Sequence, residues 1–364
     1  MKLKEISKCI EELAPLSYQE SYDNSGLLLG SNDKNISSAL ITLDITENII
    51  DEAIQKKCNL IISHHPLIFS GLKRLSGDTF VERILLKAIK NDIAIYSVHT
   101  NIDNVLNGVN SILAQQIGLK NLKILSPKSG LLRKLVTFCP TKHAEKVRNS
   151  MFEAGAGNIG NYSSCSFNAS GKGSFRASDQ TNPFVGKLNE LHFEDEIRIE
   201  TIFPIHKTSE IVNSLLNAHP YEEVAYDIYP LENEFANVGS GIIGELENSE
   251  DLTVFLNRIK KICKAGCVRH SKKTLKNVKK IALCGGSGSF LIDKAIASNA
   301  DVFVSGDIKY HDFFKAENKI VIADIGHFES EQFVKDLLYS ILIKKFPNFA
   351  VQISEVNTNA VYYI

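Results

Sequence analysis

The stretch NLIISHHPLIF, residues 59–69, decides how this sequence is read. Leu60–Ile62 is a short apolar run flanked by Asn59 and Ser63, the pattern of a strand buried on both faces. Two histidines and a proline follow at once. Neighbouring side chains on a regular strand point to opposite faces. At a strand end, with Pro66 holding His65 extended, the rings of His64 and His65 can instead diverge around a pair of ions. Outward from this point, ALITL (39–43) and IAIYSV (93–98) read as two more strands, and 49–57, 79–91 and 110–117 as helices. In the 79–91 helix, Phe80, Ile84, Leu85, Ala88 and Ile89 are expected inside, and Glu82, Arg83, Lys87 and Lys90 outside. Strands separated by helices of this length predict βαβ units and a mainly parallel sheet covered on both faces.

The same grammar returns near the other end. Strands are expected at 278–284, 302–304, 320–324, 350–354 and 360–364, and helices at 290–298, 311–317 and 330–345. The middle differs. A Gly/Ser/Asn-rich stretch occupies 155–175, and the order around it is strand (135–138), helix (144–154), strands including 197–203, helix (209–218) and strand (223–229), a βαββαβ pattern. The expected fold class is therefore α/β. A discontinuous core domain, residues 1–128 and 236–364, is interrupted by an inserted α+β domain at 129–235.

Composition narrows the function. The 364 residues carry 41 basic and 42 acidic side chains, a net charge of −1. A general electrostatic grip on nucleic acid or an acidic membrane shows as a basic excess, so neither partner is expected. The basic stretch from Lys260 to Lys280 reads as a solvated face. No apolar run approaches the roughly 18 residues of a membrane span. Leu3, Ile6, Ile10 and Leu13 fall at helical spacing, so the N-terminus reads as an amphipathic helix and not as a signal peptide. The seven cysteines are scattered without a CxxC pair, which predicts reduced thiols and a cytoplasmic protein.

Three segments concentrate metal-ligating side chains: Ser63–Pro66, His99–Asp103 and His327–Glu331. They hold four of the ten histidines. Each sits at the carboxyl end of an expected parallel strand, the edge where open α/β sheets bind ligands. His327 and Glu331 are four apart and share a helix face. Imidazoles plus carboxylates without thiolate suit zinc, manganese, iron or cobalt. The set exceeds what one tetrahedral ion needs and fits two ions about 3.5–4 Å apart with a bridging carboxylate. Among weaker signals, Asp23 and Asn24 are candidates to support ligands from behind, His311 is a candidate proton shuttle, and Gly285–Ser289 is either a tight turn or an anion-binding loop.

YDNSGLLLG (22–30), SHHPLIF (63–69), HTNIDN (99–104), GDIKYHD (306–312) and GHFESE (326–331), in this order, resemble the GTP cyclohydrolase 1 type 2 homolog family, also described as dinuclear metal centre hexameric or NGG-one-interacting-factor-like proteins. NAHPYEEVAYDIYPL (217–231) resembles the extra module of its longer members, which is similar to PII-type ferredoxin-like domains. The resemblance implies two divalent cations per subunit on His64, His65, Asp103, His327 and Glu331, with Glu331 bridging and His99 beside them. Zinc is the first choice, with manganese, iron, cobalt or nickel as alternatives. It also implies a toroidal homohexamer with metal sites facing an internal cavity. The expected function is a metal-dependent hydrolase of a small, nucleotide-type substrate, with His311 or His99 moving protons. With GTP, attack would fall on the imidazole-ring carbon between the two nitrogens, with ring opening and release of formate. The rival expectation is a non-enzymatic metal-binding regulator or scaffold that senses a ligand through the insert.

Overall fold

The computed structural model describes residues 1–272 and 274–364; position 273, inside the basic stretch, lies outside the described residues. The chain divides into two compact units, Met1–Pro127 with Asn237–Ile364, and Lys128–Ala236.

The first unit contains two sheets. One has the order Gly26–Leu29, Ala94–Ser97, Leu60–Ser63, Ser38–Thr42, Ala350–Ile353. The last four of these strands run parallel, and only Gly26–Leu29 is antiparallel to its partner. Strands Ser38–Thr42 and Leu60–Ser63 are buried along their whole length, as strands covered on both faces must be. Helices Glu47–Gln55 and Phe80–Lys90 supply one cover: Ile49, Ile50, Ala53, Ile84, Leu85 and Ala88 pack with Leu40, Ile61 and Ile95. Thr46 and Thr79 cap these helices through their side-chain oxygens, satisfying an otherwise unpaired N–H.

The other sheet has six strands, in the order Arg269–His270, Val321–Asp324, Val302–Gly306, Asn277–Ser287, Phe235–Asp251, Leu119–Lys128. Its central pairs, 277–287 with 302–306 and 302–306 with 321–324, are parallel. The helix Leu252–Ile262 buries Leu252, Phe255, Leu256 and Ile259 and leaves Lys260 and Lys261 exposed. The second unit has strand Leu132–Pro140, helix Ala144–Glu153, strands Phe167–Arg176 and Leu191–Pro204, helix Thr208–Ala218 and strand Tyr226–Leu231. Its sheet order, 167–176, 191–204, 132–140, 226–231, is antiparallel throughout. That is the ferredoxin-like arrangement of a βαββαβ chain. The α/β class holds, with both sheets of the first unit parallel at their centres and the sheet of the second unit antiparallel.

Several local expectations fail for physical reasons. Ala360–Ile364 forms no strand. Asn359 turns the chain by accepting from the Val361 N–H at 3.0 Å and donating to Glu329 at 3.0 Å. The helix expected over 330–345 is two helices, His327–Glu331 and Val334–Lys345. The Gly-rich 155–175 contains most of an edge strand. Strands 119–128 and 235–251 and the 252–262 helix were not foreseen. In the Phe80–Lys90 helix, Phe80 and Ile89 are about half exposed, whereas Glu82, expected outside, is 4% exposed. One Glu82 oxygen accepts the N–H groups of Ser76, Gly77 and Asp78 and the Ser76 hydroxyl, at 2.8–3.1 Å. Four donors to one carboxylate are a good replacement for water.

These donors hold the Glu82 carboxyl down, at about 2 instead of 4.5, against the opposing effect of burial. A depressed carboxylate contributes stability above its unfolded pKa and loses it as pH falls through the folded value. Glu82→Gln is therefore expected to lower the melting temperature at neutral pH. The gap to the parent should close between pH 4.5 and 2, and thermal denaturation across that range is the measurement.

Candidate metal centre

The strand ends of the first sheet are level. Thr42 pairs with Ser63 and Ser63 with Ser97, and the two serine hydroxyls meet at 2.7 Å. Pairing persists just past the strands, with His64 N on Thr42 O, His65 N on Leu43 O and Val98 N on Ser63 O. Asp44, His64, His65 and His99 therefore leave three neighbouring strands at one height. In the second sheet Ser305 pairs with Asp324. The chain then turns through Gly326, at φ 93°, into the short helix that carries His327 and Glu331. Asp44, His65 and His99 from the first set and His327 and Glu331 from the second line one cleft of about 720 Å³, with His64 buried behind them.

The structure brings His64, His65, His99, Asp103, His327 and Glu331 together. Three overlapping groups, each with ligand atoms within 4.8 Å of one another, are His64–His65–His99, His65–His327–Glu331 and His64–Asp103–Glu331. Glu331 belongs to two of them. Its Oε2 lies 3.0 Å from the Nε2 atoms of both His65 and His327. Its Oε1 lies 3.7 Å from His64 Nε2, which is also 3.7 Å from Asp103 Oδ1. Close backbone approach allows this: a Cβ on Gly286, at φ +61°, would fall 2.3 Å from Glu331 Oε1.

Each imidazole is held from behind through Nδ1. Val98 O holds His64 at 2.8 Å, Asp44 holds His65, Asp23 holds His99 and Asp307 holds His327, the last three at 2.7 Å. Such partners fix the tautomer and aim Nε2 inward. Asp23 fits its expected supporting place. Asn24 does not; its amide donates to Ile68 O at 2.6 Å. Asp44 and Asp307 were missed, although Asp44 follows ALITL as His64 follows NLIIS. Asp44 is itself tied down, since Thr358 donates to its other oxygen at 2.8 Å.

His311 is not brought to the cluster. Its ring is exposed, packs against Tyr310 and Phe314 and does not line the cleft. The glycine segment is the irregular end of the strand Asn277–Ser287, with its donors spent internally. Gly285, Gly286 and Gly288 give their N–H groups to Asn110, Ser330 and Ser305, so they are not available to an anion.

The charges are strongly coupled. Burial opposes ionisation of Glu331, but His327, His64 and His65 hold its carboxyl well below the usual range. Burial, then the Glu331 charge, pushes Asp103 well up. Burial works to lower His65, yet Asp44 and Glu331 raise it to about 10; Glu331 and Asp307 likewise carry His327 to about 9 against its burial. Burial lowers His64. Burial, Asp103 and Glu331 together push the Cys284 thiol up, so this neighbour stays protonated and is a poor metal ligand.

One atom tests the fit of a cation. His64 is fully buried, and its Nε2 has no hydrogen-bond partner among the described residues. With Nδ1–H given to Val98 O, Nε2 carries a bare lone pair facing two carboxylate oxygens. Such an arrangement repels unless a positive centre lies between the three atoms. The imidazole and carboxylate donors fit a divalent cation of the zinc, manganese or iron type.

The Duf34/NIF3 (NGG1p interacting factor 3) family profile matches residues 1–360. The chain belongs to this family. A Halalkalibacterium halodurans protein named GTP cyclohydrolase 1 type 2 homolog is 39% identical over 364 residues, covering 99% of this chain and 98% of that one. A Bacillus subtilis protein of the same name is 38% identical, covering 98% and 97%. A solved Bacillus cereus protein related to NIF3 superposes with a TM-score of 0.87 at 38% identity, covering 100% of this chain and 99% of its own.

Removing a carboxylate behind a ligating imidazole typically costs about 10–100-fold in metal affinity. Asp44→Asn is expected to weaken Co²⁺ or Zn²⁺ binding by that order, read by competition with a chromophoric chelator. Unchanged affinity would show that the Asp44–His65 bond does not orient a ligand.

Proposed function

We propose that this NIF3-family chain is a metal-dependent hydrolase of a nucleotide-type substrate, holding two divalent cations, zinc foremost, that share Glu331. The observation that carries this reading is the division of the Glu331 carboxylate. One oxygen faces His65 and His327, and the other faces His64 and Asp103. His64, Asp103 and Glu331 Oε1 would hold one cation, and His65, His327 and Glu331 Oε2 the other. When bound, such a pair acidifies a shared water and polarises the substrate's electrophilic centre.

The chain's own residues would supply the rest. His99 keeps Nδ1 on Asp23 and offers its other nitrogen to the cluster, so it is placed to move a proton. The Asp23 carboxylate is held ionised by His99 and Thr100 despite burial. Tyr22, Phe69 and Phe290 line the cleft and are more than half exposed, which suits stacking against a base. Arg269 lines the same cleft, its Nη2 given to Asp324 and Ile308 O, and its remaining donors suit a phosphate.

The names of the relatives support a GTP cyclohydrolase-like activity. The resemblance in the sequence supports a toroidal homohexamer. The cysteines, free throughout, support a cytoplasmic location. No helix among the described residues is long and apolar enough to cross a membrane. A regulator without turnover, sensing a ligand through the insert, is favoured by one observation: the insert has a cavity of its own.

His64→Ala and Glu331→Gln are expected to abolish both metal content, measured by elemental analysis, and turnover on a panel of nucleotides, pterins and phosphoesters. Full activity after complete metal removal would falsify the hydrolase reading. Metal retention with no turnover across the panel would favour the regulator. Light scattering of the purified chain should give six copies; a monomer would remove the hexamer.

A further inference from the structure

We propose that the inserted unit carries a second ligand site, an aromatic box for an organic ammonium ion on the open face of its sheet. Val147, Met151, Ile211 and Leu215 of the two helices cover one face, packing with Leu135, Ile199 and Phe203. Strand alternation sends the intervening side chains to the other face, which bounds a cavity of about 730 Å³. The size is that of a small-molecule site. The metal reading does not enter this inference.

Phe175, Phe184 and Tyr221 form the walls. Tyr221 lies 6.2 Å from Phe175 at 59° and 6.3 Å from Phe184 at 52°. The rings are thus tilted walls and not a stack. Tyr221 is fixed at both ends. Its N–H donates to His219 Nδ1 at 3.1 Å, while the other His219 nitrogen meets Phe138 O at 2.9 Å. Its hydroxyl donates to Glu196 Oε1 at 2.9 Å. Asn182 N donates to Glu222 at 2.9 Å, which ties the segment carrying Phe184 to the segment carrying Tyr221. These last residues fall in the HPYEE stretch, which the metal chemistry leaves without a role.

Charge selects the occupant. Glu196 lies across the edge strand over Gly173, where a Cβ would fall 2.2 Å from its Oε2. A side chain at position 173 would push this carboxylate from its present place. Of the basic side chains that line the cavity, Arg198 pairs with Glu200 at 2.9 Å and Lys172 with Asp195 at 3.4 Å, while Arg176, on the edge strand next to Phe175, is exposed and has no ion pair among the described residues. An anion would meet Glu196 and Glu223. A neutral apolar guest would cover the Glu196 carboxylate without replacing its water. An alkylated ammonium ion satisfies both the ring faces and the carboxylate. A bare metal ion, which needs several oxygen or nitrogen ligands, finds one carboxylate between rings.

The test is titration of the full chain with choline and with its uncharged isostere 3,3-dimethylbutan-1-ol, read by calorimetry and ligand-observed NMR. Choline is expected to bind and the alcohol not to. Glu196→Gln, which keeps the shape and the bond from Tyr221, should weaken choline about tenfold or more. Phe184→Ala, at an exposed ring, should weaken it with the melting temperature unchanged, and Glu331→Gln should leave it unaltered. No choline binding, equal binding of the alcohol, or Glu196→Gln binding like the parent would each overturn the proposal.

Discussion

The core unit is organised around one buried negative charge. Glu331 is 3% exposed, and an isolated carboxylate there would be expelled or protonated. Three imidazoles converge on it instead. Two of them hydrogen-bond one oxygen, and the third aims a bare lone pair toward the other. That third contact is a demand and not a satisfaction. Protein atoms alone leave His64 Nε2 unsatisfied between two acids, and a fully buried, unpaired nitrogen is expensive to keep. The donor set and its packing fit a divalent cation at this point.

The fold meets this demand by levelling strand ends. Parallel neighbours in register finish at the same height, so the residues just beyond Thr42, Ser63 and Ser97 emerge together. Ser305 and Asp324 do the same in the other sheet. What remains is orientation, and the backbone supplies it with glycine. At Gly306 a Cβ would sit 2.8 Å from His327 N, and at Gly286 it would strike Glu331. The outer carboxylates then aim the rings. The arrangement is rigid because each ligand is fixed at its strand or helix and again at its far nitrogen.

Much of this was legible in the sequence because it was local. NLIIS reads as a buried strand from five residues, and the histidines follow directly. His327 and Glu331 share a helix face by spacing alone. The outer carboxylates were less legible: Asp44 follows a strand as His64 does, but a single acid at a strand end has many ordinary roles. Glu82 was misread because amphipathic spacing assumes water outside, whereas here the chain before the helix folds back as a cap. The 360–364 run has strand-like composition, yet side-chain bonds from Asn359 turn it across the cleft, and no local pattern encodes that. His311 sits one turn from a strand end, near enough in sequence to suggest a shuttle, but its ring packs outward with Tyr310 and Phe314.

The segment after the last strand ties these threads together. Glu52, buried, takes the Ser354 hydroxyl and the Glu355 N–H. Asp44 takes Thr358, and Glu329 takes Asn359. Three carboxylates in succession thus pin residues 354–359 along the core, and Thr358, Asn359, Val361 and Tyr363 line the cleft. The middle clamp is the carboxylate that orients His65. A hydrogen bond to one Asp44 oxygen limits how that carboxylate can turn, and with it the imidazole held by the other oxygen at 2.7 Å. The chain that walls the cleft is therefore mechanically joined to a ligand inside it. Loss of the Thr358 bond would free one Asp44 oxygen and remove that restraint on the carboxylate holding His65.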